Sequence, residues 1–178
     1  MRLWGVTMTE PVVPTSSTVT TVASFEAFCA TEHDRLARAL ALAFDHRELG
    51  RDAAAEALAR AWERWREVST YDNPAGWAYR VGLNWGRSRL RRRRRELITA
   101  LVPELGGVEP AADNRHVLEA LRHLSTDHRA VIVGRFYLDW SEAELASALG
   151  IPAGTAKSRL SRALQQLERH LDHGGHDG

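Results

Sequence analysis

Thr155, Lys157, Ser158, Arg159 and Arg162 crowd the start of one helical segment with hydrogen-bond donors and positive charge. Side chains of these types meet base edges and phosphates when the N-terminal end of a helix enters the major groove. A second basic stretch, residues 77–95, holds eight arginines and no acid. Arg80, Arg87, Arg89 and the run from Arg91 and Arg92 to Arg95 could track a nucleic-acid backbone by displacing its counterions. A merely solvated helix end is the lesser alternative for such a run. Asp52, Glu56 and Arg60 recur every fourth residue, so they share one helical face, either a docking surface or a ladder of exposed ion pairs. No Ser-His-Asp set, carboxylate pair or phosphate loop stands out, so catalysis is not expected. His170, His173 and His176 recur every third residue, but a Gly-broken tail holds no fixed ligand geometry, and no metal or cofactor is expected.

These side chains need helices to aim them. Ser141 and Glu144 form a capping-box pattern, and Leu145, Ala148 and Leu149 supply an apolar stripe behind it. Gly150-Ile151-Pro152 stops that helix, and a second follows with Ala156, Leu160, Ala163, Leu164, Leu167 and Leu171 at three- and four-residue spacing. The pair reads as a helix-turn-helix. Upstream, Val117, Leu118, Leu121 and Leu124 mark one helix, and a further helix is expected over about 126–138.

In the N-terminal half, Phe25, Phe28, Leu36, Leu40 and Phe44 mark a helix, and Ala53, Ala54, Ala57, Leu58, Ala61, Trp62 and Trp65 mark another over about 49–66. Trp62, Trp65 and Trp77 at helical spacing read as core. A third helix starts near Pro74, where proline suits the first turn. The stretch 102–114 is rich in Pro, Gly and acids and reads as a linker. No strand pattern appears. The expectation is an all-α chain: a tail at 1–23, a helical domain at 24–95, a flexible acidic linker at 96–114, a domain with the helix-turn-helix at 115–172, and a tail at 173–178. Met8 is an alternative start.

Composition narrows the class. The net charge is +1, yet the charges are segregated: 24–73 has ten acids and seven bases, and 96–114 has four acids and no base. Such a layout suits a protein that meets nucleic acid with one face and another partner elsewhere. The lone Cys29 excludes an internal disulfide framework and fits a reducing cytoplasm. No apolar run is long enough to span a bilayer, and the N-terminal segment lacks a signal-peptide core.

Both halves together resemble the extracytoplasmic-function sigma factors, the small two-domain members of the sigma-70 family of bacterial RNA polymerase. The C-terminal resemblance is dense, in Leu124-Ser125-Thr126-Asp127-His128-Arg129-Ala130-Val131-Ile132, in Trp140 to Ala146 and in Gly154 to Ala163. The N-terminal one is looser. Asp52 to Trp62 is similar to the polymerase-binding helix of domain two, and Pro74 to Asn84 with the arginine run is similar to the promoter-melting helix. Ala55 stands where the family carries Gln, and Ala53, Ala54 and Ala57 where it carries bulkier apolar residues. Trp85 follows Asn84 where a smaller aliphatic residue is common.

The resemblance implies a transcription initiation factor that binds core RNA polymerase through Asp52, Glu56 and Arg60. It implies a duplex −35 element read by Thr155, Lys157, Ser158, Arg159 and Arg162. The single-stranded −10 region would be met by Tyr71, Asp72, Asn73, Arg80, Asn84, Arg87, Arg89, Arg91 and Arg92. It also allows an anti-sigma factor as partner and implies a cytoplasmic setting away from membrane. Two rivals remain at this level: a helix-turn-helix regulator acting without polymerase, and a sigma-like interaction module that no longer initiates.

Overall fold

The computed structural model describes residues 16–97 and 115–174. The linker expected at 96–114 therefore lies outside the described residues except for Glu96 and Leu97, as do residues 1–15 and 175–178. Among the described residues every regular element is helical, as the sequence predicts. None of these helices is long and apolar enough to cross a membrane.

Helix α1 (Ser16–Phe44) begins inside the stretch read as a tail, which moves that boundary back to Ser16. The Thr- and Val-rich start has low intrinsic helix propensity and gave no local signal, but it continues a long amphipathic helix. Asp45 ends α1 in the left-handed region at φ 54°. His46 then caps α2 (Arg47–Glu63), its ring Nδ1 accepting the Leu49 N–H at 3.2 Å. At Gly50 a Cβ would stand 2.4 Å from the Ala41 backbone nitrogen, so only glycine lets α2 lie this close to α1.

The helix expected over 49–66 is broken at Arg64, and a single turn, α3 (Trp65–Val68), follows. Trp65 is buried beside Ala61 and Val68, with Phe25 and Phe28 packed over them. Trp62 departs from the core expectation. It is 48% exposed, with the Phe25 ring tilted against it at 4.9 Å between ring centroids. Its position two residues from Arg60 puts it at the margin of the apolar arc, which Ala53, Ala57 and Ala61 already fill. Trp77 is half-buried.

Helix α4 (Pro74–Leu97) crosses α1 and α2 and buries Ala78, Tyr79 and Leu83. After α5 (Arg115–Arg122), α6 (Thr126–Ile132) is capped by Ser125, whose hydroxyl accepts the His128 N–H at 3.2 Å. The continuous helix expected over 126–138 gives way to a π turn at Val133–Tyr137. The wider turn keeps Leu138 buried while Phe136 is left 62% exposed. Helices α7 (Glu142–Leu149) and α8 (Ala153–Gly174) complete the chain. Helix α8 runs past the domain end expected at 172, and His170 stacks on His123 at 4.5 Å.

Both halves share one apolar core. Leu36, Leu40, Phe44 and Tyr79 from the first half join Val131, Leu138, Trp140, Leu145 and Leu160 from the second in a single cluster. Polar groups stitch the seam. The buried Arg129 guanidinium donates from Nε to the Ala43 carbonyl at the end of α1 (2.8 Å), and from Nη1 to the Arg122 carbonyl (3.3 Å). Loss of water around it pushes the Arg129 pKa down. Arg35 Nη2 donates to the Leu138 carbonyl at 2.7 Å, and the Tyr79 hydroxyl donates to the Ala130 carbonyl at 3.3 Å. Spent helix-end carbonyls in each half are thus satisfied by arginines from elsewhere in the chain.

Candidate nucleic-acid interface

The helix-turn-helix forms from local chemistry. The Ser141 hydroxyl accepts the Glu144 N–H, and the Glu144 carboxylate accepts the Ser141 N–H at 2.8 Å, which makes a complete capping box. The Ser141 hydroxyl also donates to the Glu144 carboxylate at 2.7 Å, and this bond, then the one from the Ser141 N–H, holds the Glu144 carboxyl below its ordinary pKa. Gly150 closes α7 at φ 66°, and the Ile151 N–H returns to the Ala146 carbonyl at 3.0 Å. Ala156, Leu160 and Ala163 then anchor α8 on the core.

That anchoring sorts the five predicted α8 residues into two sets. Thr155, Ser158, Arg159 and Arg162 stand three and four residues apart and share one flank. Lys157, two positions from Arg159, points about 160° away from it. Thr155, Lys157 and Arg162 are exposed, and Ser158 and Arg159 are half-buried. The Ser158 hydroxyl donates back to the Thr155 carbonyl at 3.1 Å. Arg159 faces the Asp127 carboxylate of α6 at 3.7 Å.

Helix α4 sorts its residues in the same way. Arg80, Asn84, Arg87 and Arg91 follow steps of four, three and four and line one flank. Arg89 and Arg92 lie off that stripe, exposed on other sides of the helix. Asn84 is exposed; Arg91 Nη2 donates to the Ser88 hydroxyl at 3.0 Å. Arg87 Nη2 donates to Asp127 at 2.5 Å.

The turn before α4 is internally bonded. Tyr71 donates its hydroxyl to the Glu67 carboxylate, which also takes Arg64 Nη2 at 2.7 Å. The Tyr71 bond, then Arg64, holds the Glu67 carboxyl low, and the same bond raises the Tyr71 phenol. Asn73 uses its side-chain oxygen to accept the Gly76 N–H at 2.7 Å, so it caps α4. Asp72 is exposed. A cleft of about 370 Å³ opens here, with Tyr71, Asn73 and Arg80 on one wall and Ser147 and Ala148 of α7 on the other.

On α2, Asp52 and Arg60 are exposed and Glu56 half-buried. Arg60 pairs with Glu56 at 2.8 Å, so part of this face is an ion-pair ladder. Sequence reasoning missed Asp127. An acid in the first turn after a Ser cap looks like a helix-dipole residue, and no local pattern reveals partners on α4 and α8.

The family description "Sigma-70, region 4" matches residues 115–167. The chain is 33% identical over 129 residues to the ECF RNA polymerase sigma factor SigL of Mycobacterium tuberculosis, covering 67% of this chain and 73% of that protein. It is 32% identical over 157 residues to the RNA polymerase sigma-E factor of Streptomyces coelicolor, covering 84% of this chain and 87% of that protein. Its fold is similar to that of the sigma factor RpoE of Bartonella quintana, solved in complex with the anti-sigma factor NepR. The TM-score is 0.74 at 24% identity, over 84% of this chain and 97% of that one.

Proposed function

The chain belongs to the extracytoplasmic-function RNA polymerase sigma factors, and from that premise we propose that it directs core RNA polymerase to promoters with two DNA elements. It serves transcription initiation without doing chemistry of its own; polymerase forms the bonds. The observation that carries the reading is the presence of two basic helical flanks, one in each half of the chain.

The α8 flank of Thr155, Ser158, Arg159 and Arg162 reads the duplex −35 element from the major groove, and Lys157 holds phosphate from the other side. One arginine seated on a guanine edge contributes about 1–3 kcal/mol of discrimination. The α4 flank of Arg80, Asn84, Arg87 and Arg91 follows the −10 strand, with Arg89 and Arg92 adding longer-range attraction. Each phosphate contact there strengthens binding by releasing counterions. The cleft beside Tyr71, Asp72 and Asn73 accepts a base that leaves the stack, which favours melting. Asp52, Glu56 and Arg60 dock on core polymerase. An anti-sigma protein that covers these flanks would silence the factor, and the site of action is the cytoplasm, with the transcription machinery.

Run-off transcription with core polymerase on a library of genomic fragments tests this. The expected result is a set of start sites that share a −35 and a −10 element, with Arg159→Ala losing initiation while core binding persists. Transcription no higher than that of core polymerase alone would overturn it.

A further inference from the structure

Helix α4 has a second flank. Val81, Trp85, Arg89 and Arg92 follow steps of four, four and three, so they line one side of the helix. Trp85 stands about 160° around α4 from Arg87, the residue that meets Asp127. Packing fixes this roll. Leu40 and Phe44 of α1 seat directly on Gly82 and Gly86, where a Cβ would stand 2.6 Å and 2.3 Å from their side chains. Helix α4 is thereby kept from turning Trp85 inward, and the indole stays half-buried at the margin of the core.

The charges on this flank are unspent. Arg87 gives its guanidinium to Asp127, and Arg91 donates to the Ser88 hydroxyl. Arg89 and Arg92 are exposed, and among the described residues no carboxylate pairs with either. No acid occurs from residue 77 to residue 95. An indole seated on the core is already ordered, so a flat ligand stacks on its open part at little further entropic cost. Guanidiniums one and two turns along offer donors to phosphate oxygens. Paired DNA keeps its base faces stacked on one another. Any polyanion can use the arginines, but only an unpaired base can use the indole.

Resting on the reading above, in which α4 meets opened promoter DNA, we propose that Trp85 is a stacking platform for one unpaired base of single-stranded DNA. Arg89 and Arg92, beyond their longer-range attraction, hold the phosphates beside that base. A base stacked on Trp85 is withheld from its partner, so an opening that reaches this flank is retained.

The test is fluorescence anisotropy of the full chain on a labelled oligonucleotide, single-stranded and as a blunt duplex of the same sequence, across a range of salt. Trp85→Leu is expected to weaken single-strand binding about tenfold at every salt concentration, with the salt slope and the duplex affinity unchanged. Trp85→Phe keeps an aromatic face and should restore most of that loss. Joint Arg89→Gln and Arg92→Gln should lower the single-strand salt slope by about 0.7 for each arginine. Native-like single-strand binding by Trp85→Leu, equal weakening on both forms of DNA, or a Trp85→Phe no better than Trp85→Leu overturns the inference.

A second measurement does not depend on the folding of any variant. A single strand carrying 5-iodouracil in place of thymine, irradiated on the native chain, should form its adduct at Trp85, as located by mass spectrometry of the digest. Adducts confined to other aromatic side chains, Tyr71 or Trp77 among them, overturn the inference. The functional reading fails separately. If Trp85→Leu binds the single strand as the native chain does while run-off transcription persists, only the platform falls. If the native chain gives no transcription above that of core polymerase alone, the functional reading falls.

Discussion

Tyr79 and Trp140 meet in a T-shaped ring contact across the seam between the two halves, with centroids 5.4 Å apart and planes at 74°. Both side chains are buried. Such a pair contributes about 0.5–1.5 kcal/mol beyond its buried area. Truncating Trp140 to alanine should cost about 3–5 kcal/mol, and a Tyr79/Trp140 double-mutant cycle should return a coupling in the smaller range. Because the core is continuous, urea unfolding followed by fluorescence and by circular dichroism should show one transition. Two separated transitions would mean that the halves fold independently.

Tyr79 also sets a pH dependence. Burial pushes its phenol well above the ordinary 10.0. The folded state therefore keeps the proton longer than the unfolded chain does. The resulting stability is complete below pH 10 and is lost as pH rises beyond it. Tyr79→Phe gives up the bond to Ala130, about 1 kcal/mol at neutral pH. That deficit should shrink above pH 10 in thermal melts. A deficit that stays constant up to the alkaline limit contradicts this account of Tyr79.

Glu144 carries the opposite sign. Its hydrogen bonds from Ser141 hold its carboxyl below 4.5, so its contribution is present above that value and disappears as acid protonates the folded form. Glutamine can complete the same capping box without the charge. Glu144→Gln should therefore be less stable than the native chain at neutral pH and equal to it at strongly acidic pH. A difference that persists into acid would assign the effect to something other than charge.

At Gly150 the left-handed backbone strains any residue with a side chain, and a Cβ would also displace Arg80. Gly150→Ala should destabilise the chain by about 1–2 kcal/mol in urea titrations. Asparagine tolerates that conformation better and should cost less. Equal losses would show that the contact with Arg80, rather than the backbone angle, governs the site.

Much of this was legible from local pattern. Ser141 and Glu144 mark the start of α7, Gly150 its end, and the apolar spacing of Ala156, Leu160 and Ala163 fixes which flank of α8 is free. Those signals act within one or two turns, which is why they survive folding unchanged. Features set by distant contacts were not legible. The shared core exists because Tyr79 meets Trp140 and Arg129 meets the end of α1, and neither sequence neighbourhood announces its partner. Trp62 fell outside the core because Ala53, Ala57 and Ala61 leave no room beside α1 for a larger side chain. Asn73 had the residue type to read a base, but its oxygen is engaged in capping α4. Lys157 stands two residues from Arg159 in sequence, and helical geometry sends the two apart.

The central claim is that this chain works as part of a polymerase complex. Its most direct test is gel filtration of the full chain mixed with purified core RNA polymerase. The account predicts stoichiometric co-elution, weakened by joint replacement of Asp52, Glu56 and Arg60 with alanine. A chain that elutes apart from core polymerase while it still binds duplex DNA would contradict it.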